Sequence, residues 1–285
     1  MVILLTLKIQ ILKNNILISI IMPAYNAEKY INEAIQSVIN QTHKLWELII
    51  IDDGSTDNTV DILNIIIDSR IVIINQAHKG VGASRNVGLR IMKGQYFCFL
   101  DSDDIFTPMS LSSRLEVFIK NNEISFVDGA VNEIYWLQKR FIRRYVPKLR
   151  GYPLNNLLKL NDKCFVGNSW MIKRDFNYDY KFDEKMTHCE DLYFYISISE
   201  GKKYDYTNNL ILIYRKRFNS AMSDYLGLEK GYRKLYKNIN REFNLKIVKK
   251  LIIKYKIIKV MALIFVKNRH DFKLAFKSIY YYLLM

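Results

Sequence analysis

Glu47-Leu48-Ile49-Ile50-Ile51-Asp52-Asp53-Gly54-Ser55-Thr56-Asp57 decides the fold class of this chain. An unbroken apolar run with no polar alternation describes a strand buried on both faces, and two carboxylates followed by a glycine end it in a turn. Upstream, Ile16 to Met22 is the same kind of strand, stopped by Pro23, with Pro23-Ala24-Tyr25-Asn26 as the turn. Between the two strands, Tyr30, Ile31, Ala34, Ile35, Val38 and Ile39 fall at helical spacing within Ala27 to Asn40. Downstream the pattern repeats. A helix over Thr59 to Asp68 precedes a strand over Ile71 to Ile74, and a helix over Gly82 to Met92 precedes a strand over Tyr96 to Leu100 that runs into Asp101-Ser102-Asp103-Asp104. Strand and helix alternating in this way predict an α/β domain of right-handed βαβ units, with a mostly parallel sheet and helices on both faces. Ligands bind at the carboxyl ends of such strands. The polar clusters at Pro23–Asn26, Asp52–Asp57, Gln76–Gly82 and Asp101–Asp104 all fall on that one edge.

Beyond Pro108 the alternation loosens. The expected elements are a helix over Ser110–Lys120, strands over Phe126–Trp136 and Asp162–Ile172, a helix over Glu190–Ser199 and a strand over Leu210–Arg215. The chain therefore divides into an N-terminal extension (1–15), a catalytic domain (16–225, with a nucleotide-binding half to 108 and an acceptor half after it) and a basic, helical tail (226–285). Among all 285 residues, 43 are Lys or Arg and 28 are Asp or Glu, a net charge of +15. The tail alone holds 15 basic and 3 acidic residues, so the remainder is close to balance. A charge confined in this way does not describe a nucleic-acid-binding surface, and no nucleic-acid-binding motif occurs. It fits an anionic membrane surface met by a basic helix that carries Ile, Leu and Tyr. The alternative is a helical cap packed on the domain. No uninterrupted apolar run is long enough to span a bilayer, and the N-terminus lacks the features of a signal peptide. Cys98, Cys164 and Cys189 form no Cys-x-x-Cys pair and imply a reduced, cytoplasmic setting.

Three carboxylates within Asp101–Asp104 repel one another unless a cation lies between them, and oxygen-only ligands suit Mn²⁺ or Mg²⁺. Set against this is a solvated loop capping the next helix. Asp52–Asp57 adds a second acidic cluster on the same edge, near Arg85. Gly80-Val81-Gly82-Ala83-Ser84-Arg85 approaches a dinucleotide fingerprint but has Arg85 where the third glycine belongs.

These motifs, in this order, resemble the family 2 glycosyltransferases of the GT-A fold. The matching residues are Pro23-Ala24-Tyr25-Asn26, Ser37 to Thr42, Glu47 to Asp57, Ala83-Ser84-Arg85-Asn86-x-Gly88, Asp101–Asp104, Phe182-Asp183-Glu184, Glu190-Asp191, and Tyr214-Arg215 followed by Ser220. The resemblance implies a metal-dependent inverting transferase that uses a UDP-sugar. By it, Pro23 and Tyr25 line the nucleotide, and Asp53 accepts a hydrogen bond from the base with Asp52 in support. Arg85 lies near base or phosphates and Asp101 near the ribose or donor sugar. Asp103 binds the metal, with Asp104 beside it, and Asp191 is the general base. Glu190, His188 and Trp170 fall on the acceptor side, where Trp170, Trp136 and Tyr152 are candidates for stacking on a sugar, with core packing as the competing role. The implied acceptor is a glycan, lipid-linked as in lipooligosaccharide, capsule or O-antigen assembly, which would place the chain at the inner face of the cell membrane. Cys189 stands where the family often has Gly, and the Gln-x-x-Arg-Trp segment of processive synthases is absent. The cysteine implies a different acceptor loop, and the absence of that segment and of the membrane spans that accompany it points to single addition. A sugar-phosphate nucleotidyltransferase is the rival enzyme reading, but it would want a Gly-rich first loop with Arg and Lys.

Overall fold

The computed structural model describes residues 15–165, 167–216 and 224–267, with backbone alone at 225 and 263–267. Nearly all of the N-terminal extension, Ser220, His270 and the end of the basic tail lie outside these residues. Nine strands form one sheet, in the order β3 (Ile71–Asn75), β2 (Trp46–Asp52), β1 (Ile18–Ala24), β4 (Tyr96–Phe99), β8 (Met171–Lys173), β6 (Ile124–Tyr135), β9 (Lys203–Lys216) and β5 (Ile105–Phe106). The ninth, β7 (Arg140–Tyr145), pairs with β6. The first four strands are mutually parallel, as the βαβ reading requires. β8 is antiparallel to both β4 and β6, so the second half completes the sheet as a mixed one.

Both faces of the parallel half are covered. Ile18, Ile20 and Met22 of β1, with Leu48 and Ile50 of β2, point into one core, where Ile31, Ala34, Ile35 and Val38 of α1 (Ile31–Ile39) meet them. Ile21, Ile49 and Ile51 point to the opposite face. There they join a second core rich in aromatic rings from α6 (Glu190–Ile198), with Leu89 of α3 (Val81–Ile91). This two-sided burial is why β1 and β2 read as continuous apolar runs. The other helices are α2 (Thr59–Asn64), α4 (Ser110–Lys120) and α5 (Leu154–Leu158).

The tail contributes α7 (Tyr225–Glu242) and α8 (Ile247–Lys267). Leu235, Tyr236 and Ile239 of α7, with Ile253, Ile257 and Met261 of α8, are buried in the second core, where α7 packs on α6. The described part of the tail is thus integral to the domain. Its outer face leaves Ile247, Val248, Leu251 and Tyr255 exposed among lysines. Among the described residues no helix is long and apolar enough to cross a membrane.

Candidate active site

Strand order 3-2-1-4 means that successive connections leave β1 in opposite directions. The crevice opens between the ends of β1 and β4, where such sheets bind ligands. Pro23 marks the opening. The β1–β4 ladder ends at Ile21 and Phe99, so the proline that follows breaks no rung on that side. Pro23 does not stop the strand as expected: it is buried and stays in register with Ile51 of β2, and the chain turns only after Ala24, at Tyr25, which is 46% exposed and stands against the His78 ring at 4.2 Å. Of the expected pair, Tyr25 is therefore the residue that presents a face to a ligand.

Asp53 is 2% exposed and is held from all sides by the β3–α3 loop. It accepts from Gln76 Nε2 at 2.5 Å, Lys79 N at 3.0 Å and Gly80 N at 2.8 Å, with His78 Nδ1 at 2.9 Å. Burial alone would raise its pKa. The donors from Gln76, Lys79 and Gly80 and the His78 ring outweigh burial, and the carboxyl titrates below its ordinary value. Asp52 differs: Oδ2 accepts from Ser55 N at 3.2 Å, while Oδ1 is buried without a partner. Asp53 organises the loop, and Asp52 keeps the unmet acceptor. The β1–α1 and β2–α2 loops are laced together by Asn26, which accepts from Thr56 N at 2.8 Å, and by Asp57, which accepts from Glu28 N at 3.1 Å and Thr59 Oγ1 at 2.6 Å.

Across the crevice, Arg85 on α3 bridges the two halves of the chain. Its Nη2 donates to Asp101 Oδ1 at 2.8 Å and its Nη1 to Glu190 Oε1 at 2.9 Å. It is 3% exposed, so it is not a solvated helix charge. It is the strut between Asp101 and the start of α6. Burial disfavours its charge, but Asp101 and Glu190 more than compensate, and it stays protonated. Next to Glu190, Asp191 is pushed up to about 7 by burial and by the Glu190 charge, with Arg85 pulling the other way. Its Oδ1 accepts from Leu192 N at 2.6 Å.

Asp104 is buried, and its pKa is raised well above the ordinary range by burial and by its neighbours Asp103 and Asp101. Its Oδ1 accepts from Arg215 N at 2.9 Å. The buried Arg215 side chain also donates to the Asp103 carbonyl, to Glu33 Oε2 at 2.5 Å and to the Tyr30 carbonyl at 3.2 Å. This arginine braces the acidic loop against α1. The cluster is an all-oxygen donor set in which the Asp103 and Asp101 charges push Asp104 up, which is the chemistry that a hard divalent cation satisfies. Among the described residues no three metal-ligating side chains form a ready-made cage.

The sequence profile of glycosyl transferase family 2 matches residues 19–181. This chain belongs to that family. It is therefore a glycosyltransferase, and its sheet and helices are those of the GT-A fold. An Escherichia coli relative, UDP-Glc:alpha-D-GlcNAc-diphosphoundecaprenol beta-1,3-glucosyltransferase WfgD, is 38% identical over 184 residues, covering 64% of this chain and 69% of the relative. An uncharacterised glycosyltransferase of Haemophilus influenzae is 33% identical over 288 residues, covering 96% of this chain and 87% of its own length. Among solved structures, residues 1–349 of Staphylococcus aureus TarS, in complex with UDP-GlcNAc, match with a TM-score of 0.67 at 20% identity. That match covers 87% of this chain and 72% of the TarS fragment.

On the acceptor side of this family 2 enzyme, one expectation is corrected. Trp170 cannot stack on a sugar, because its side chain is fully buried. Nε1 donates to the Cys164 carbonyl at 2.7 Å, and the ring lies 4.6 to 5.2 Å from Tyr195, Tyr204 and Phe126. Trp136 lies over the Arg215 guanidinium at 4.7 Å, and Tyr152 is exposed. His188 is mostly buried, 3.7 Å from Asp224 at the start of α7. Three positioning residues carried no assigned role in the sequence. Asn86 and Arg215 were visible as motif members without a function. Gln76 had no signal beyond its place on the ligand edge.

Proposed function

We propose that this glycosyltransferase moves a sugar from a UDP-sugar to a hydroxyl of a lipid-linked glycan, with inversion at the anomeric carbon. The observation that carries the reading is the Arg85 bridge, which joins the donor-side Asp101 to the acceptor-side Glu190-Asp191 across the crevice. Tyr25 would pack against the base, and Asp53, with Asp52 in support, would accept its N–H, which favours uracil. Asp103, with Asp104 behind it, would hold Mn²⁺ or Mg²⁺ against the donor diphosphate, the diphosphate supplying the remaining ligands. When bound, the ion offsets the charge that develops on the leaving diphosphate.

In the step itself, the acceptor oxygen forms a bond to the anomeric carbon as the carbon–oxygen bond to the diphosphate breaks. UDP leaves with the electron pair, and the hydroxyl proton passes to Asp191. A carboxylate poised near neutrality suits that task, because a catalytic pKa close to the working pH serves proton transfer best. Glu190, held by Arg85, keeps the Asp191 pKa high by its charge.

The lipid-linked acceptor and the UDP donor are supported by the name of the Escherichia coli relative, which states both for that protein. The exposed Ile247, Val248, Leu251 and Tyr255 on α8, among Lys249, Lys250, Lys254 and Lys256, support attachment to an anionic leaflet at the cytoplasmic face of the membrane. The test is UDP release from a panel of nucleotide sugars with Mn²⁺, comparing wild type with Asp191→Asn. The variant should bind UDP normally and lose turnover by about 10²–10⁴-fold. Near-normal release would remove Asp191 from the mechanism, and release from a non-uridine donor alone would remove the UDP assignment. Co-sedimentation with anionic vesicles, weakened by Leu251→Glu and by salt, tests the membrane reading. Binding indifferent to both would defeat it.

A further inference from the structure

Two glycines of α7, Gly227 and Gly231, lie one turn apart on the same face of the helix, and both face His188. A Cβ on Gly227 would overlap the His188 ring at Cε1 and lie 2.7 Å from Nδ1, with the flexible Asp224 carboxylate also in its way. A Cβ on Gly231 would meet the His188 backbone and Cβ instead, at 2.7 Å from the carbonyl oxygen, 2.8 Å from Cβ and 3.0 Å from the carbonyl carbon, all atoms that an alanine at 188 keeps. Neither space exists by default, because every other residue type would fill it.

The same loop is gripped at other points. Lys234 Nζ and Asn238 Nδ2 of α7 reach Asp183 Oδ2 at 3.0 and 3.1 Å. From the other side Asn86 of α3 accepts from Phe182 N at 2.7 Å and donates to Glu184 Oε1 at 2.8 Å. His188 stands immediately before Cys189, whose left-handed backbone (φ 60°) turns the chain into α6 and so aims Glu190 and Asp191.

We propose that Gly227 and Gly231 form a slot that seats His188, and that this slot makes α7 a positioning element for Asp191. The catalytic half of this inference rests on Asp191 being the base. Seating the loop is a separate matter and has its own readout.

The experiment uses the full chain, with Gly227→Ala, Gly231→Ala, His188→Ala and both double variants. Hydrogen exchange of the segment 183–192 reports seating, calorimetry with UDP and Mn²⁺ reports the donor site, and UDP release from the best donor of the panel reports turnover. Both glycine variants should raise exchange in that segment and keep the UDP Kd within about two-fold. Displacement of the base on the order of 1 Å should lower turnover by about 10²-fold. His188→Ala removes the ring that a Cβ at 227 strikes but not the backbone that a Cβ at 231 strikes. It should therefore restore Gly227→Ala to its own level and leave Gly231→Ala impaired. Unchanged exchange in both glycine variants, or rescue of both or neither by His188→Ala, overturns the slot. Raised exchange with undiminished turnover overturns its catalytic half. Normal turnover in Asp191→Asn would instead sink the base assignment, leaving the slot to be judged on exchange.

Discussion

Replacing Arg85 by Met tests the bridge on which the site is built. The substitution keeps bulk and removes the cation, so Glu190 and Asp101 lose their partner. Breaking a buried pair by deleting one member costs about 3–5 kcal/mol. Glu190 has an 11% exposed side chain and bears most of that penalty, whereas Asp101 is 33% exposed and water screens much of its charge. The lower end of the range, about 3 kcal/mol, is expected. For a chain of this size each kcal/mol shifts Tm by about 2–4 °C, so the melting point should fall by roughly 6–12 °C. A second consequence is electrostatic. Arg85 holds the Asp191 pKa down against burial and Glu190. Without it, the acid limb of the kcat–pH profile should move above about 7, so that activity at pH 7 falls further than stability alone explains. Arg85→Lys keeps the charge and should retain the limb while losing part of the Tm. The assays are thermal denaturation and UDP release across pH 5.5–9. A variant melting within about 1 °C of wild type, or an acid limb that stays put or moves down, would show that the bridge does not organise the site.

Asp103→Ala should weaken UDP binding in Mn²⁺ and leave the residual binding unaffected by EDTA, as calorimetry would show; equal binding to variant and wild type in both conditions removes the metal site. Trp170→Phe should cost about 1–3 kcal/mol through its lost hydrogen bond and packing, with acceptor KM unchanged, since the ring touches only core; a raised acceptor KM at unchanged melting would restore the sugar-stacking role. The raised pKa of Asp191 also makes stability depend on pH. The folded state holds this proton more tightly than the unfolded one, so the contribution is fully present below the ordinary carboxylate pKa and is lost as pH rises through about 7. Asp191→Asn should accordingly gain stability relative to wild type as pH rises from about 4 to 8, read by urea titration at fixed temperatures, and a constant difference would contradict the shift.

The parallel half was legible because its strands are buried on both faces, and such runs of Ile and Leu resemble little else. Even so, the α2 pattern reads on to Asp68 while the helix ends at Asn64, leaving Ile65 and Ile67 exposed. In the second half the strand expected over Asp162–Ile172 shrinks to Met171–Lys173. Before it, Gly167 at φ 124° and the polar Asn161, Asp162 and Asn168 form no ladder. β7 escaped notice because Arg140, Arg143 and Arg144 make it a charged edge strand with little apolar alternation. β9 extends through Thr207-Asn208-Asn209, whose polarity hides a long pairing with β6. The adjacent carboxylates Asp52 and Asp53 could be located but not sorted. Successive residues of an extended chain point to opposite sides, and only coordinates say which side carries the loop amides. The burial of Arg85 was hidden for a similar reason, since its partners Asp101 and Glu190 are remote in sequence.

The second core is assembled from both ends of the chain, with Ile21 of β1 and Met261 of α8 in one cluster. During synthesis the nucleotide half emerges first and has its own strands and helices to pair, with α3 already against the second-core face of β1 and β2, yet the outer layer of that core is incomplete until α7 and α8 leave the ribosome. A chain stopped short of Leu235 would carry every carboxylate named above while losing the cover that α7 places over Met186 and Tyr193. Ribosomes stalled late in this message would therefore present an aggregation-prone product rather than a weak enzyme, and chaperone demand should peak in the last stretch of translation.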